Sequence, residues 1–379
     1  MSGTYESDEK AQAARRLAAW RGAERTLAHR PHAGTVGELL TRLAAVVPDP
    51  ERDVDIYGDG IVADLEEKVA GLLGKEAAAF FPSGTMAQQV ALRCWAGRTG
   101  NPTVALHAMA HPLVHERDPL TTVSGLRTVR VTSAARPVTA DEVHTLDEPF
   151  GTLMLELPLR DAGYLLPTWE ELEAVCEAAR ARDAVVHFDG ARLWECTEHF
   201  GHPLDEIAGL ADSVYVSFYK SLGGISGAAL AGPRTLIDEA RAWRHRYGGQ
   251  IFQQFPQAVA ALAGLEHELP RLPEYVRHAR VVADAIREGF AEAGVAWSRV
   301  HPEAPHTHQF QVWLPYEAEA LTLAAVEQAE ETKTSLFGRW FAPGAPGTAC
   351  TEVTVTEPGL EWSAADVRAA VADFVRRLA

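Results

Sequence analysis

Two segments near the middle of the chain constrain it most. AVVHFDGARLWE covers residues 184–195, and DSVYVSFYKSLGG covers 212–224. Each reads as a short apolar strand that delivers one charged residue at its C-terminal end. The first delivers Asp189, followed by Gly190, Ala191 and Arg192; the second delivers Lys220, followed by Ser221 and a glycine pair. In an open α/β sheet, ligands bind beyond the C-terminal ends of the strands. An acid and an amine brought there together suit a ligand with a basic ring nitrogen and an aldehyde.

The rest of the chain is consistent with an α/β fold. Residues 64–73 (DLEEKVAGLL) place Leu65, Val69, Leu72 and Leu73 at helical spacing, and Gly74 ends the helix. AAAFFPSGT reads as a strand leading into a loop, and MAQQVALRCWAG as the helix after it. Thr168 with Glu171 three residues later makes a capping-box signature just before the strand AVVHFD. A helical stretch follows from about Pro233 through RAWRHRYGG. After about Leu265 the texture changes to an amphipathic helix, two strands (HQFQVWLP and TEVTVT) and a closing helix capped by Ser363. Three regions are expected: an N-terminal helical segment at 1–50, a large α/β domain at 51–265, and a smaller α+β domain at 266–379.

A formal net charge of −17 repels phosphate backbones, which argues against nucleic acid or an anionic membrane as a partner. No uncharged apolar run reaches the ~18 residues a membrane span needs. The N-terminal MSGTYESDEKAQAARR lacks the apolar core of a signal peptide. Cys94, Cys176, Cys196 and Cys350 form no CxxC pair and read as reduced thiols of a cytoplasmic protein. His306 and His308 could form a metal-ligand pair. They read better as flanks of the strand HQFQVWL, and no metal site is expected.

Four motifs carry chemistry. Ser83-Gly84-Thr85 sits between a strand and a helix, where backbone N–H groups and hydroxyls can hold an anion. Taken alone, it is as often a simple helix cap. His111 and Glu116 lie in AHPLVHE; a flat imidazole can stack on an aromatic ring or move a proton near neutral pH. Asp189 and Lys220 complete the set, and pyridoxal 5'-phosphate (PLP) is the cofactor they suit, through a Schiff-base lysine and an acid on the ring nitrogen.

In order along the chain, YGDGIVADLEEKVAGLLGKEAAAFFPSGTMAQQVAL, AHPLVHE, HFDGARLWE and SFYKSLGG resemble the L-threonine aldolase and β-eliminating lyase family. The resemblance covers roughly residues 55–265 well and the remainder in outline. It implies a PLP enzyme of fold type I, the aspartate-aminotransferase fold. It implies that Lys220 carries the cofactor, Asp189 pairs with its ring nitrogen, Arg192 lies near its phenolic oxygen, and His111 stacks on the ring. Ser83, Gly84, Thr85 and Ser217 would surround the phosphate. The expected reaction is Cα–Cβ cleavage of a β-hydroxy-α-amino acid to glycine and an aldehyde. Elimination, racemisation or transamination on the same cofactor, and a non-catalytic protein of this fold, are the alternatives. A homodimer or homotetramer is implied, with RAWRHRYGG reaching toward a neighbouring subunit's site.

The chain departs from the family in its substrate half. Where the family has E-N-T-H, this chain has Glu156-Leu157-Pro158-Leu159-Arg160, so Leu159 stands at the histidine position. The LRSDT-like N-terminal segment is not recognisable. The carboxylate-binding arginine is expected around Thr351, and Arg160 or Arg339 could substitute for it.

Overall fold

A computed structural model describes residues 2–28 and 34–378. The chain forms two compact units, one of residues 42–271 and one built from both ends of the chain, 1–41 and 272–379.

The larger unit holds a seven-stranded sheet. Its strands are β1 (Ala77–Phe81), β2 (Thr103–Leu106), β3 (Arg127–Arg130), β4 (Thr152–Glu156), β5 (Val185–Gly190), β6 (Ser213–Ser217) and β7 (Ala228–Gly232), in the spatial order β1-β7-β6-β5-β4-β2-β3. β7 runs antiparallel to both neighbours, and the other pairs are parallel. The central strands are buried almost throughout, as a parallel sheet covered on both faces requires. β7 was not anticipated. Its sequence, AALAG, carries no β-branched or aromatic residue, and the hydrogen bonds it makes on both sides override that weak propensity.

The helices follow their sequence signals. The Gly60–Leu72 helix stops before Gly74, which adopts φ +59°. Ser83 caps the Gly84–Thr99 helix by accepting from the Met86 N–H, and Thr168 with Glu171 forms a complete capping box.

In parallel strands, register partners project from the same face of the sheet. Glu156 pairs with Asp189, and Asp189 with Tyr215, so these three stand in a row across β4, β5 and β6. His187, two residues before Asp189, shares that face. It is fully buried between Ser213 Oγ (2.8 Å) and Gln88 Oε1 (2.6 Å), and Gln88 belongs to the Gly84–Thr99 helix. That helix therefore covers the face on which the row stands.

The smaller unit contains a three-stranded antiparallel sheet of β8 (Arg299–His301), β9 (Gln309–Leu314) and β10 (Ala349–Thr354), in the order β10-β9-β8. The helices Leu272–Glu292, Ala318–Thr332 and Ala364–Arg376 join it around an aromatic core of Phe290, Phe310, Phe337, Trp340, Trp362 and Phe374. The N-terminal stretch, expected as a separate segment ending at 50, clusters with this unit up to residue 41. Leu27 joins the core, Trp362 Nε1 donates to the Thr26 carbonyl (3.1 Å), Arg25 pairs with Asp366 (2.7 Å), and Arg25–Thr26 pairs with Thr334–Ser335. The second division falls at 271, where the sequence texture suggested 265. Among the described residues, no helix is long and apolar enough to cross a membrane. All four cysteines are free and buried.

Candidate active site

Asp189 and Glu156 end or nearly end their strands, and Lys220 follows β6 by three residues. The His111–Val114 turn begins at the same place: the His111 backbone N–H donates to Glu156 Oε2 at 2.7 Å. His111 Nδ1 lies 3.2 Å from Glu116 Oε1, and Thr85 Oγ1 donates to that same oxygen at 2.8 Å. Glu116 thus joins the Ser-Gly-Thr motif to the histidine motif. Thr85 and Glu116 are 31 residues apart in the chain, and nothing in the sequence signals this link.

The charges act strongly on one another. Burial pushes the Lys220 ammonium down to about 8; Arg192 adds to the shift, while Asp189 and Glu156 oppose it. Burial raises the carboxyl of Asp189 against the pull of Lys220 and His111. Burial, reinforced by Asp189, pushes Glu156 up to about 7. His111 is raised, chiefly by its hydrogen bond to Glu116. Buried groups shifted this way at strand ends are a pattern that functional sites favour. Lys220, Asp189 and His111 thus lie close enough to act on one another's charges.

The expected phosphate ligands fare differently. Ser83 Oγ is occupied as an acceptor for Met86 N–H at 3.3 Å. Thr85 spends its hydroxyl proton on Glu116. Ser217 is fully buried and donates to the Ala191 carbonyl at 2.7 Å. A hydroxyl has one proton, so in this geometry neither Thr85 nor Ser217 has a hydroxyl donor left for an anion. The N–H groups of Gly84 and Thr85, which precede the first intrahelical bond, and the hydroxyl proton of Ser83, whose oxygen only accepts, are the donors that remain in the motif. Gly84 has a second reason to be glycine: a Cβ there would lie 2.0 Å from Tyr215 Oη.

Arg241 and Arg244 of the RAWRHRYGG segment pair with Glu66 at 2.7 and 3.2 Å, while His245 and Arg246 are exposed. Leu159 is buried with Ala162, Leu165 and Met109, and lines a mostly apolar cavity of about 30 Å³ beside Glu156. His308 Nδ1 meets the Val355 carbonyl at 2.7 Å, and among the described residues no three metal-type side chains gather. Thr351 is buried and donates to the Arg339 carbonyl at 2.9 Å. Glu156 is the site residue that the sequence reading passed over. Its position directly before the changed Leu157–Arg160 run was the available signal.

A family model for beta-eliminating lyases matches residues 42–301. The chain belongs to the beta-eliminating lyase family. Low specificity L-threonine aldolase of Escherichia coli (strain K12) is 31% identical over 261 residues, covering 66% of this chain and 76% of the relative. A Listeria monocytogenes EGD-E crystal structure, provisionally described as an L-allo-threonine aldolase, superposes with a TM-score of 0.87 at 32% identity, covering 97% of this chain and 99% of the other. A serine palmitoyltransferase solved with PLP shares the fold at a TM-score of 0.63 and 18% identity, covering 90% of this chain and 83% of that one. This lyase has the PLP fold type I architecture, and PLP is its cofactor. The residues present fit that group. A lysine amine of lowered basicity, a buried acid and open helix N–H groups match an aldehyde, a ring nitrogen and a phosphate. Arg192 adds a donor, its Nε buried without a hydrogen-bond partner among the described residues.

Proposed function

We propose that this lyase cleaves the Cα–Cβ bond of β-hydroxy-α-amino acids, giving glycine and an aldehyde, in the manner of a threonine aldolase. The observation that supports the reading is that Lys220, Asp189 and His111 influence one another's charges beyond the C-terminal ends of the strands, with His111 Nδ1 turned to Glu116. When bound, PLP supplies an electron-accepting ring that stabilises negative charge at Cα. Lys220 would hold its carbonyl carbon, and an ammonium that loses its proton near pH 8 presents a reactive amine close to neutrality. Asp189 would keep the ring nitrogen protonated, and the positive charge there would relieve the cost of burying an ionised carboxylate. Gly84 and Thr85 N–H groups would take the phosphate, and Arg192 would face the ring's oxygen. His111 would lie against the ring; with Nδ1 turned to Glu116, its Nε2 is left to hold the proton of the β-hydroxyl.

Arg160 is the proposed clamp for the amino-acid carboxylate. Its charge is felt at Lys220, and its side chain is only partly exposed. An Arg160→Met enzyme should show a raised KM for amino acid with kcat less affected; an unchanged KM would remove Arg160 from this role.

β-Elimination is the second reading, favoured by one observation: an apolar Leu159 occupies the position where the family's histidine is expected. Products separate the two. Purified enzyme given threonine, allo-threonine and phenylserine should release aldehyde and glycine. Pyruvate and ammonia from serine, with no aldehyde from the others, would establish elimination instead.

We further propose a homodimer or homotetramer working in the cytoplasm. Val54, Ile56, Tyr57, Ile251 and Phe252 are all exposed on residues 42–271, and Tyr57 and Phe252 meet edge to face at 5.3 Å. Light scattering that gave a monomer mass would refute the assembly. The four free, buried thiols suit a reducing compartment, and recovery of the protein in a secreted fraction would refute that placement.

A further inference from the structure

We propose that Glu156 is a positioning residue: its carboxylate ties the backbone at His111 to that at Arg160 and sets an acidic group beside Asp189 in the surroundings of Lys220. The inference rests on the reading of Lys220 above.

The geometry is specific. Oε2 accepts from the His111 N–H at 2.7 Å, and Oε1 accepts from the Arg160 N–H at 3.2 Å. One carboxylate thereby ties the start of the His111 turn to the run that replaces the family's E-N-T-H. Two N–H donors favour the ionised form. The register partner, Asp189, disfavours it, because two carboxylates side by side in a poorly hydrated site resist carrying two charges. The groups that face Glu156 are Asp189 from β5, Lys220 from beyond β6, His111, Arg160, and His107 across the small cavity. An anchor alone would need only acceptors. A full charge beside a second acid is costly to keep there, and its electrostatic effect reaches Lys220, where it favours the protonated nitrogen.

The test is a pH titration of the holoenzyme's visible band near ~420 nm. Glu156→Gln removes the charge and keeps one acceptor. Glu156→Asp keeps the charge but draws it back from the two N–H groups. In Glu156→Gln the pH at which the band is lost on raising pH should fall by roughly 0.5–1 unit, whereas Glu156→Asp should stay within ~0.2 unit of wild type. A purely structural role would move neither midpoint. An unchanged midpoint in Glu156→Gln, or an equal fall in both variants, overturns the proposal.

Stability supplies the second measurement. A carboxyl raised on folding costs stability as pH climbs from its ordinary ~4.3 to about 7. Relief of that cost should offset the one acceptor that Gln loses, so cofactor-free Glu156→Gln should melt close to wild type at pH 8. A variant that melts well below wild type, or cannot be obtained folded, makes Glu156 a structural residue and overturns the proposal. Wild-type protein that shows no visible band would instead refute the assignment of Lys220, leaving a distinguishable failure.

Discussion

The strand ends of the larger unit and the core of the smaller one use burial in opposite ways. In the smaller unit the buried side chains are apolar and mutually supporting. Phe337 packs edge to face with Phe374 at 4.9 Å and stacks with Phe290 at 6.0 Å, and Trp340 stacks on Phe374 at 6.0 Å. Each such contact contributes to stability and does nothing else. At the strand ends, burial acts on titratable groups and pushes Lys220, Asp189 and Glu156 away from the charge states they hold in water. That arrangement costs stability and, on the proposed function, yields reactivity, the usual division between a core and a site. Mutations in the two regions should therefore separate cleanly.

The largest separation should come from Lys220→Ala. We expect activity to fall by roughly three orders of magnitude or more, the covalent visible band to vanish, and the melting temperature to stay near or above that of the wild-type cofactor-free protein. Retention of the band would break the assignment. Phe337→Ala should do the reverse. Loss of a buried aromatic costs about 3–5 kcal/mol, measured by urea unfolding, while the protein that remains folded should still form the band.

Gly84→Ala, in the larger unit, should combine both kinds of effect and so sharpens the comparison. Its methyl would meet Tyr215 Oη, so overpacking should cost about 1–3 kcal/mol and weaken PLP binding together. A stable variant with normal cofactor affinity would show that Tyr215 yields freely. A smaller effect is expected from pH. Cofactor capture by the apoprotein needs the neutral amine, so its rate should rise about fivefold from pH 7 to 8 and then level off, as Lys220 loses its proton near pH 8. A flat profile would argue against that lowered basicity. The smallest effect should come from Arg15→Ala. Its ion pair with Glu330 at 2.7 Å is largely exposed, and its loss should cost less than ~1 kcal/mol in the same urea assay.

The larger unit was legible wherever local chemistry and tertiary placement agree. Apolar runs became β1, β5 and β6; Ser83, Thr168 and Ser363 became helix caps; Asp189 and Lys220 came to rest where their strands deliver them. Such signals reside in a few consecutive residues, so the sequence alone determines them. It also determined the family, because several motifs in a fixed order carry more information than any one of them.

Tertiary structure decided the rest. β7 exists because two neighbouring strands hydrogen-bond it, not because alanine and glycine favour a strand. The first 41 residues join the last 108 because Leu27 and Thr26 find partners about 330 residues away. Ser217 and Thr85 were plausible anion ligands by spacing, yet each hydroxyl donates its proton to an acceptor far off in sequence. Glu156 gained its importance only when sheet register set it against Asp189. Burial and proximity between distant residues set hydrogen-bond partners and charge states, and no local pattern in the chain encodes either.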